Sequence, residues 1–309
     1  MVRVFDMGEV MELSTVKTFK TLQNKNSKLK QLNDSELQKL QKTILGIMVD
    51  IDYVCNKYNL VYNLGGGSCL GAVRHNGFIP WDDDIDIDMP RADYKKLCEV
   101  FEKEFPDKYW FQTPEKNKNY GLAFARIRKK GTIFRAREDL DNDEAGVYVD
   151  VFIIENTYDN KILRNIHGFL SLMFGFLLSC RNFYKNRKFY MEMVEENPDL
   201  KKVFKTKINI GRLLSVLSVD FYTNAWNKVN SMCKNDLSKY VVVPCGRKHF
   251  FGEMYERKKF CETVLHKFED YNFRICVDYD NYLKHMYGDY MKIPKEEDRE
   301  KHIFIELKL

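Results

Sequence analysis

Apolar residues recur at helical spacing along residues 37–58, the first strongly patterned segment of the chain. Leu40, Ile44 and Ile51 are typical of this pattern, which places its apolar side chains on one face of an α-helix. Ser35 comes just before the segment, with Gln38 three positions later, a spacing typical of a capping box. The pattern predicts an amphipathic helix with one buried stripe.

A series of short elements follows. The predicted strands cover residues 60–64, 84–89, 122–128 and 147–154, and the predicted helices among them cover residues 69–75 and 91–104. From about residue 158 onward the pattern is mostly helical. This order predicts an α+β (mixed α/β) fold: an extension at 1–33, a catalytic core at 34–157, and a mostly helical region at 158–309 that completes the active site.

Residues 166–180 form the most apolar run of the chain. At 15 residues the run is shorter than the roughly 20 needed to span a bilayer. Arg164 precedes it, and Arg181, Lys185 and Arg187 follow it. Two interpretations stay open: a buried helix, or a helix lying on a membrane surface with its basic flanks facing anionic lipid.

The amino-acid composition limits the kinds of protein that this chain could be. The 309 residues are 44% hydrophobic, enough for a sizeable core, and the net charge of +5 is spread among interleaved acids and bases. A charge this mild does not favour nucleic acid, but it suits anionic substrates such as nucleotide phosphates. The first 13 residues lack the apolar run of a secretory signal. We therefore expect a cytoplasmic protein, and a peripheral location at the inner face of the membrane is the option that the apolar run leaves open.

The eight cysteines are irregularly spaced and include no CxxC pair, so we expect reduced thiols. A zinc site built from Cys245, His249, Cys261 and His266 is the alternative, although its spacing fits common zinc templates poorly.

Aspartates crowd the segment Trp81-Asp82-Asp83-Asp84-Ile85-Asp86-Ile87. In a strand over 84–89, Asp84, Asp86 and Asp88 would share one face. Like charges this close resist ionisation without a compensating cation, and oxygen ligands alone select a hard ion such as Mg²⁺ or Mn²⁺. A solvated acidic edge strand is the alternative. Asp82 and Asp83 are expected in turn or supporting roles.

Asp150 stands alone within the β-branched strand pattern of residues 147–154. A buried carboxylate needs a partner. We expect it to share a metal with Asp84 and Asp86; an ion pair with a nearby arginine is the alternative.

A glycine turn, Gly65-Gly66-Gly67-Ser68, separates a predicted strand from a predicted helix. Glycine lets backbone N–H groups approach phosphate closely, and a helix N-terminus favours negative charge. The turn, with Ser68 as a cap or phosphate ligand, is therefore a candidate phosphate site. Basic candidates to hold a diphosphate are Arg74, Arg126, Arg128 and Lys129.

The run of residues 64–87, from the glycine turn to the acidic segment, closely resembles the LicD family, which includes bacterial phosphocholine transferases. Residues 126–132 and a C-terminal motif with Tyr287, Asp289 and His302 also resemble family segments. The resemblance implies a nucleotidyltransferase-like core sheet, with Asp84, Asp86 and Asp150 as metal-binding catalytic carboxylates. It implies that Gly66, Gly67 and Ser68 hold donor phosphates.

The resemblance further implies a reaction: Mg²⁺-dependent (or Mn²⁺-dependent) transfer of a phospho-alcohol, above all phosphocholine, from a CDP-activated donor such as CDP-choline to a glycan hydroxyl. Two alternatives stay open. One is nucleotidyl transfer at the α-phosphorus; the other is an inactive module that binds a nucleotide or a partner. The triple-glycine turn and the additional Asp88 depart from the family pattern.

Overall fold

The computed structural model describes residues 32–136, 138–195, 197–296, 299 and 304–309. Most of the predicted extension at 1–33 and the candidate His302 lie outside these residues. The helices are α1 (Asp34–Tyr58), α2 (Gly66–His75), α3 (Arg91–Glu104), α4 (Lys161–Lys185), α5 (Arg187–Met193), α6 (Pro198–Leu213), α7 (Val219–Asn230), α8 (His249–Gly252), α9 (Arg257–Cys261) and α10 (Tyr279–Tyr287). The strands are β1 (Asn63–Leu64), β2 (Asp86–Pro90), β3 (Tyr109–Gln112), β4 (Ala125–Lys129), β5 (Ile133–Ala136), β6 (Tyr148–Asn156), β7 (Tyr240–Val242), β8 (Met254–Glu256), β9 (Thr263–Phe268), β10 (Tyr271–Cys276) and β11 (Phe304–Lys308).

The first helix, α1, buries the predicted stripe, including Leu40, Ile44 and Ile51. Its start differs from the prediction, because the capping box is formed by Asn33 and Glu36 instead of Ser35 and Gln38. The Asn33 side chain accepts from the Glu36 N–H at 2.9 Å, and the Glu36 carboxylate accepts from the Asn33 N–H at 3.1 Å. Both residues satisfy N–H groups that the helix itself leaves unpaired.

A mixed sheet forms the central part of the molecule. Its strand order is β1-β2-β6-β4-β3, with β7 paired to β6 and β8 paired to β7. Strand β2 runs parallel to β6, and the other pairs in this sheet are antiparallel. Helices combined with a mixed sheet agree with the predicted α+β class.

Strand β2 begins at Asp86, two residues later than predicted, so Asp84 lies in the loop before it. Ile85, Ile87 and Met89 are fully buried, as the alternation predicts. The register pairs Asp86 with Asp150 of β6. Because side chains at paired positions share a face, the two carboxylates lie side by side.

The C-terminal region is helical from α4 to α7, but the later strands β7 to β11 were not predicted. These strands are short, and they pair with distant partners: β7 extends the main sheet through β6, and β11 pairs with β5. Strands β9 and β10 form a hairpin of their own. The stability of β7 and β11 therefore comes from long-range pairing, which the local sequence pattern does not reveal.

One large core joins α1, the main sheet, the β9–β10 hairpin and α10. Smaller apolar clusters lie within the α4–α7 region, one of them around Phe183, Tyr190 and Phe204. The C-terminal hairpin and α10 are thus packed into the same core as the acidic strand.

The apolar run of residues 166–180 lies within helix α4, which is 25 residues long. By length and composition it could cross a membrane, and 22% of its most apolar window is buried. His167, Ser171 and Leu178 are buried, whereas Ile162 (70% exposed) and Phe169 (53%) face outward. The helix therefore packs on one side and presents apolar side chains on the other.

Candidate active site

The glycine turn forms the start of helix α2, with Gly65 at the N-cap and Gly66 in a left-handed conformation (φ +44°). The helix begins three residues earlier than predicted. The N–H groups of Gly67 and Ser68 lie in its first turn, where an α-helix provides no internal partner. These donors, together with the positive end of the helix dipole, suit an anionic phosphate.

Each of the three glycines faces a different carboxylate. A Cβ added at Gly65 would lie 2.7 Å from Asp88 Oδ2, one at Gly67 would lie 3.0 Å from Asp82 Oδ2, and one at Gly66 would lie 3.8 Å from Asp86 Oδ2. The triple glycine therefore lets the helix start rest directly on the acidic segment, where side chains would fill the space.

The acidic loop before β2 brings Asp82, Asp83 and Asp84 together, with carboxylate oxygens within 4.8 Å of one another. Among the residues that the structure describes, Asp82, Asp83 and Asp84 are the group of possible metal ligands that lies this close together. Asp86 and Asp150 do not form such a group with Asp84. Asp82 and Asp83, expected in turn or supporting roles, thus lie in the loop with their carboxylates beside that of Asp84. Gln41 of α1 holds the loop by donating to the Asp82 carbonyl at 2.9 Å.

Asp150 forms an ion pair with Arg126, whose Nε donates to Oδ1 at 2.8 Å. The arginine alternative therefore describes Asp150 in this structure. Asp150 also lies beside Asp86 of the parallel strand β2, which is the placement that a shared metal site requires.

The donor set fits a hard divalent cation. Asp82, Asp84 and Asp86 are each half-buried; the carboxylates of Asp82 and Asp86 lie near the start of α2, and that of Asp84 lies within 4.8 Å of that of Asp82. Oxygen donors at a partly open site are what Mg²⁺ prefers.

Arg126 and Arg128 differ from their predicted role as phosphate ligands, since both are buried within the protein. Arg128 is 0% exposed and donates to Gln112 Oε1 at 2.7 Å and Asp139 Oδ1 at 2.7 Å. Its guanidinium is enclosed by protein acceptors, so it braces β4 against its neighbours. Lys129, at the end of the same strand, is half-buried.

Asp88 is buried beneath Gly65, away from the acidic loop. Burial raises its pKa well above the usual range, and the nearby Glu253 adds to the effect. Burial likewise raises the pKa of Glu253 to about 7. The carboxyl of the additional aspartate therefore packs directly beneath the glycine turn.

The C-terminal motif folds back onto the glycine turn. Gly66 N–H donates to the Tyr282 hydroxyl at 2.7 Å, and the Tyr287 hydroxyl lies 3.5 Å from where a Gly66 Cβ would be. Tyr282 is a site residue that the sequence did not single out, although it belongs to the C-terminal motif. Asp289 is exposed just beyond α10.

Arg74 and Ser68 have mainly structural contacts. Arg74 Nη1 donates to the Tyr290 carbonyl at 2.7 Å, which fastens the C-terminal motif to α2. Ser68 does not cap the helix; its hydroxyl accepts from the Asp86 N–H at 2.9 Å. That bond fixes the start of β2 against the helix.

The zinc alternative is not supported within the described part of the chain. Cys245, His249, Cys261 and His266 all lie there, and they do not gather into a metal-binding group. All eight cysteines are free thiols.

Comparison with known proteins matches this architecture to a family. Residues 59–169 match the model described as LicD/FKTN/FKRP, nucleotidyltransferase domain. The chain carries a LicD-family domain. This domain includes the glycine turn, the acidic loop, β2 and β6, so the resemblance in the sequence is confirmed.

Similar proteins extend the match beyond the LicD-family domain. Lipopolysaccharide cholinephosphotransferase LicD of Haemophilus influenzae is 28% identical over 284 residues, which cover 86% of this chain and 95% of that protein. An uncharacterized protein of Rickettsia prowazekii is 41% identical over 54 residues, 18% of this chain and 20% of that protein. Another, from Rickettsia typhi, is 37% identical over 68 residues, 22% of this chain and 21% of that protein.

Proposed function

We propose that this protein transfers phosphocholine from CDP-choline to a hydroxyl of a cell-surface glycan or its precursor, on a nucleotidyltransferase-like core. The likeness to a lipopolysaccharide cholinephosphotransferase along most of both chains supports the transferred group and the acceptor class. The donor and the metal rest on the geometry of the site.

The observation that carries the proposal is the contact between the start of α2 and the acidic segment. The helix offers backbone N–H donors at Gly67 and Ser68, and the carboxylates of Asp82 and Asp86 lie next to the same turn. An anion-binding helix end beside a cluster of oxygen ligands suits a diphosphate bound together with a divalent cation.

The chemistry assigned to the chain is positioning and proton transfer. Gly67 and Ser68 orient the donor phosphates. A glycan oxygen forms a bond to the β-phosphorus while the bond to CMP breaks, and Asp150 accepts the hydroxyl proton. Arg126 holds Asp150 in place. A Mg²⁺ held by Asp84 and Asp86, with Asp82 beside them, would supply charge neutralisation for the diphosphate and the leaving group.

We also propose a peripheral location at the cytoplasmic face of the membrane. Ile162 and Ile166 of α4 are 70% and 51% exposed, and Leu213 and Val216 are 78% and 85% exposed. Arg181 Nε donates to the Leu217 carbonyl at 3.2 Å, which places the second pair near the far end of α4. Exposed basic residues accompany the apolar side chains: Lys161, Lys201, Lys205 and Arg212. This combination suits an anionic lipid surface.

The test of the function is to incubate the protein with CDP-choline, Mg²⁺ and a glycan acceptor and to identify products by mass spectrometry. Asp84→Asn and Asp86→Asn, tested separately, should lose at least a hundredfold in transfer rate, because each removes a charged metal ligand. The circular dichroism spectrum should stay unchanged.

Asp107→Asn is the matched control, since Asp107 is an exposed carboxylate outside the site. It should transfer at the wild-type rate. Wild-type rates in both site variants would refute the proposed roles. Release of pyrophosphate instead of CMP would favour attack at the α-phosphorus, and absence of turnover with a panel of CDP-alcohols would favour an inactive binding module.

A further inference from the structure

A large cavity lies away from the acidic loop, between helices α4, α6 and α7 and residues 120–122. Its volume is about 630 Å³, within the range of ligand-binding cavities. Much of its wall is apolar or aromatic, from Leu172, Phe176, Phe183, Phe204, Ile210 and Trp226. Such a wall suits a hydrocarbon chain.

The charged residues at this cavity are mostly basic. Lys185, Lys202 and Lys207 line it, against the single carboxylate of Glu138. Lys207 Nζ donates to Ser179 Oγ at 3.3 Å and lies 4.8 Å from the centre of the Phe183 ring. Its ammonium is thus held against the cavity wall, where it favours an anionic group on the ligand.

The opposite wall adjoins the candidate active site. Tyr120 lines the cavity, and its buried hydroxyl has no hydrogen-bond partner among the residues that the structure describes. Residues 120–122 lead directly into β4, which carries Arg126, the ion-pair partner of Asp150. Asn182 of α4 donates to the Gly121 carbonyl at 2.8 Å and fixes this wall to the helical region.

We infer that this cavity binds a single-chain anionic amphiphile, with the chain against the aromatic wall and a phosphate at Lys207. Resting on the proposed function, the occupant is the lipid part of a lipid-bearing acceptor, whose sugar would extend past Tyr120 toward Asp150. The unpartnered Tyr120 hydroxyl is available to a polar group of that ligand.

Calorimetric titration without donor or metal tests the site, with octyl phosphate and decyl phosphate as probes. Burial strengthens binding roughly fourfold per methylene, so decyl phosphate should bind more than tenfold tighter than octyl phosphate. Decyl trimethylammonium, with the same chain and the opposite charge, should bind at least tenfold more weakly than decyl phosphate.

Two variants locate the binding. Thr206 is an exposed residue of α6 at the cavity wall, so Thr206→Trp should block the cavity and weaken decyl phosphate binding at least tenfold. Its matched control is Thr43→Trp, since Thr43 is a half-buried residue of helix α1 outside the cavity and donates to a carbonyl four residues earlier, as Thr206 does. Lys207→Gln should weaken binding about tenfold, whereas Lys205→Gln, exposed on the same helix and outside the cavity, should not.

Failure of this inference can be told apart from failure of the proposed function. Asp86→Asn should bind decyl phosphate as the wild type does while losing transfer. Absence of decyl phosphate binding, equal binding of both chain lengths, or full binding by Thr206→Trp would overturn the inference even if transfer is observed. Tight, chain-dependent binding without any transfer would uphold the cavity and refute the reaction.

Discussion

A different physical constraint favours glycine at each of positions 65, 66 and 67. Gly65 lies against the buried Asp88, Gly67 lies against Asp82, and Gly66 adopts a positive φ that side chains rarely tolerate. A run of glycines in a sequence indicates freedom of the backbone. Here it also indicates how closely the helix start approaches the carboxylates.

Gly65→Ala should destabilise the protein by about 1–3 kcal/mol, because the added methyl would lie 2.7 Å from the buried Asp88 carboxyl. Urea denaturation measures the loss. Gly46→Ala is the control: this glycine lies within α1 with nothing within 4 Å of an added Cβ, so the substitution should stabilise the helix by up to about 1 kcal/mol. Equal stability of the two variants would contradict the close approach.

Glu253 makes folding stability depend on pH. Burial raises its pKa from 4.5 to about 7, so the folded protein holds this proton more tightly than the unfolded chain does. The stabilisation is complete below about pH 4.5 and is lost as the pH rises through 7, by about 3 kcal/mol at most.

Glu253→Gln should remove this dependence, since the amide does not titrate. Urea denaturation at pH 5 and pH 8 should show a smaller difference in the free energy of unfolding for the variant than for the wild type. Glu262→Gln, at an exposed position, should behave as the wild type. An unchanged difference in Glu253→Gln would show that this carboxyl is not the source.

At the scale of elements, the site depends on helix α2 being held from two directions. Strand β2 is fixed to it through the bond between the Asp86 N–H and Ser68 Oγ. Helix α10 is fixed to it through the bond between the Gly66 N–H and the Tyr282 hydroxyl. The C-terminal motif therefore positions the glycine turn, although it lies more than 200 residues later in the chain.

Tyr282→Phe should cost about 1 kcal/mol of stability through the lost hydrogen bond and should reduce the transfer rate, because the first turn of α2 loses an anchor. Urea denaturation and the proposed transfer assay measure the two effects. Tyr271→Phe is the control, since Tyr271 is 43% exposed on β10, and it should leave both unchanged. A Tyr282→Phe variant with full stability and full rate would show that the contact is dispensable.

At the scale of the whole molecule, helices α4–α7 form a region with two apolar surfaces. One encloses the cavity, and the other leaves Ile166, Phe169, Leu213 and Val216 exposed. A soluble helical region normally buries one such surface and leaves the other polar. These exposed apolar side chains support our proposal of contact with an anionic membrane.

The wild type should sediment with phosphatidylglycerol vesicles and much less with phosphatidylcholine vesicles, and added salt should weaken the binding. The double variant Leu213→Asp, Val216→Asp should bind roughly tenfold more weakly or worse. Leu265→Asp, at a position 68% exposed on β9, is the matched control and should bind normally. Equal binding to both vesicle types, or no effect of the double variant, would exclude this surface as a membrane contact.

The sequence by itself determined the elements whose information is local. The apolar stripe of α1, the bounds of α3 and the alternation of Ile85, Ile87 and Met89 follow from side-chain periodicity, which needs no distant partner. The glycine turn and the aspartate run were also recognisable in the sequence, and a nearly continuous motif carried the resemblance to the LicD family, which the domain match at residues 59–169 confirms.

Only the tertiary structure decided the features that depend on distant partners. Strands β7 and β11 exist through long-range pairing, and Asp150 meets Arg126 and Asp86 through strand register. Burial, which no single residue encodes, assigned Arg128 to the protein interior and placed Asp88 beneath the glycine turn. Residue types and spacing name the chemistry available, whereas packing determines which of those groups can reach a substrate.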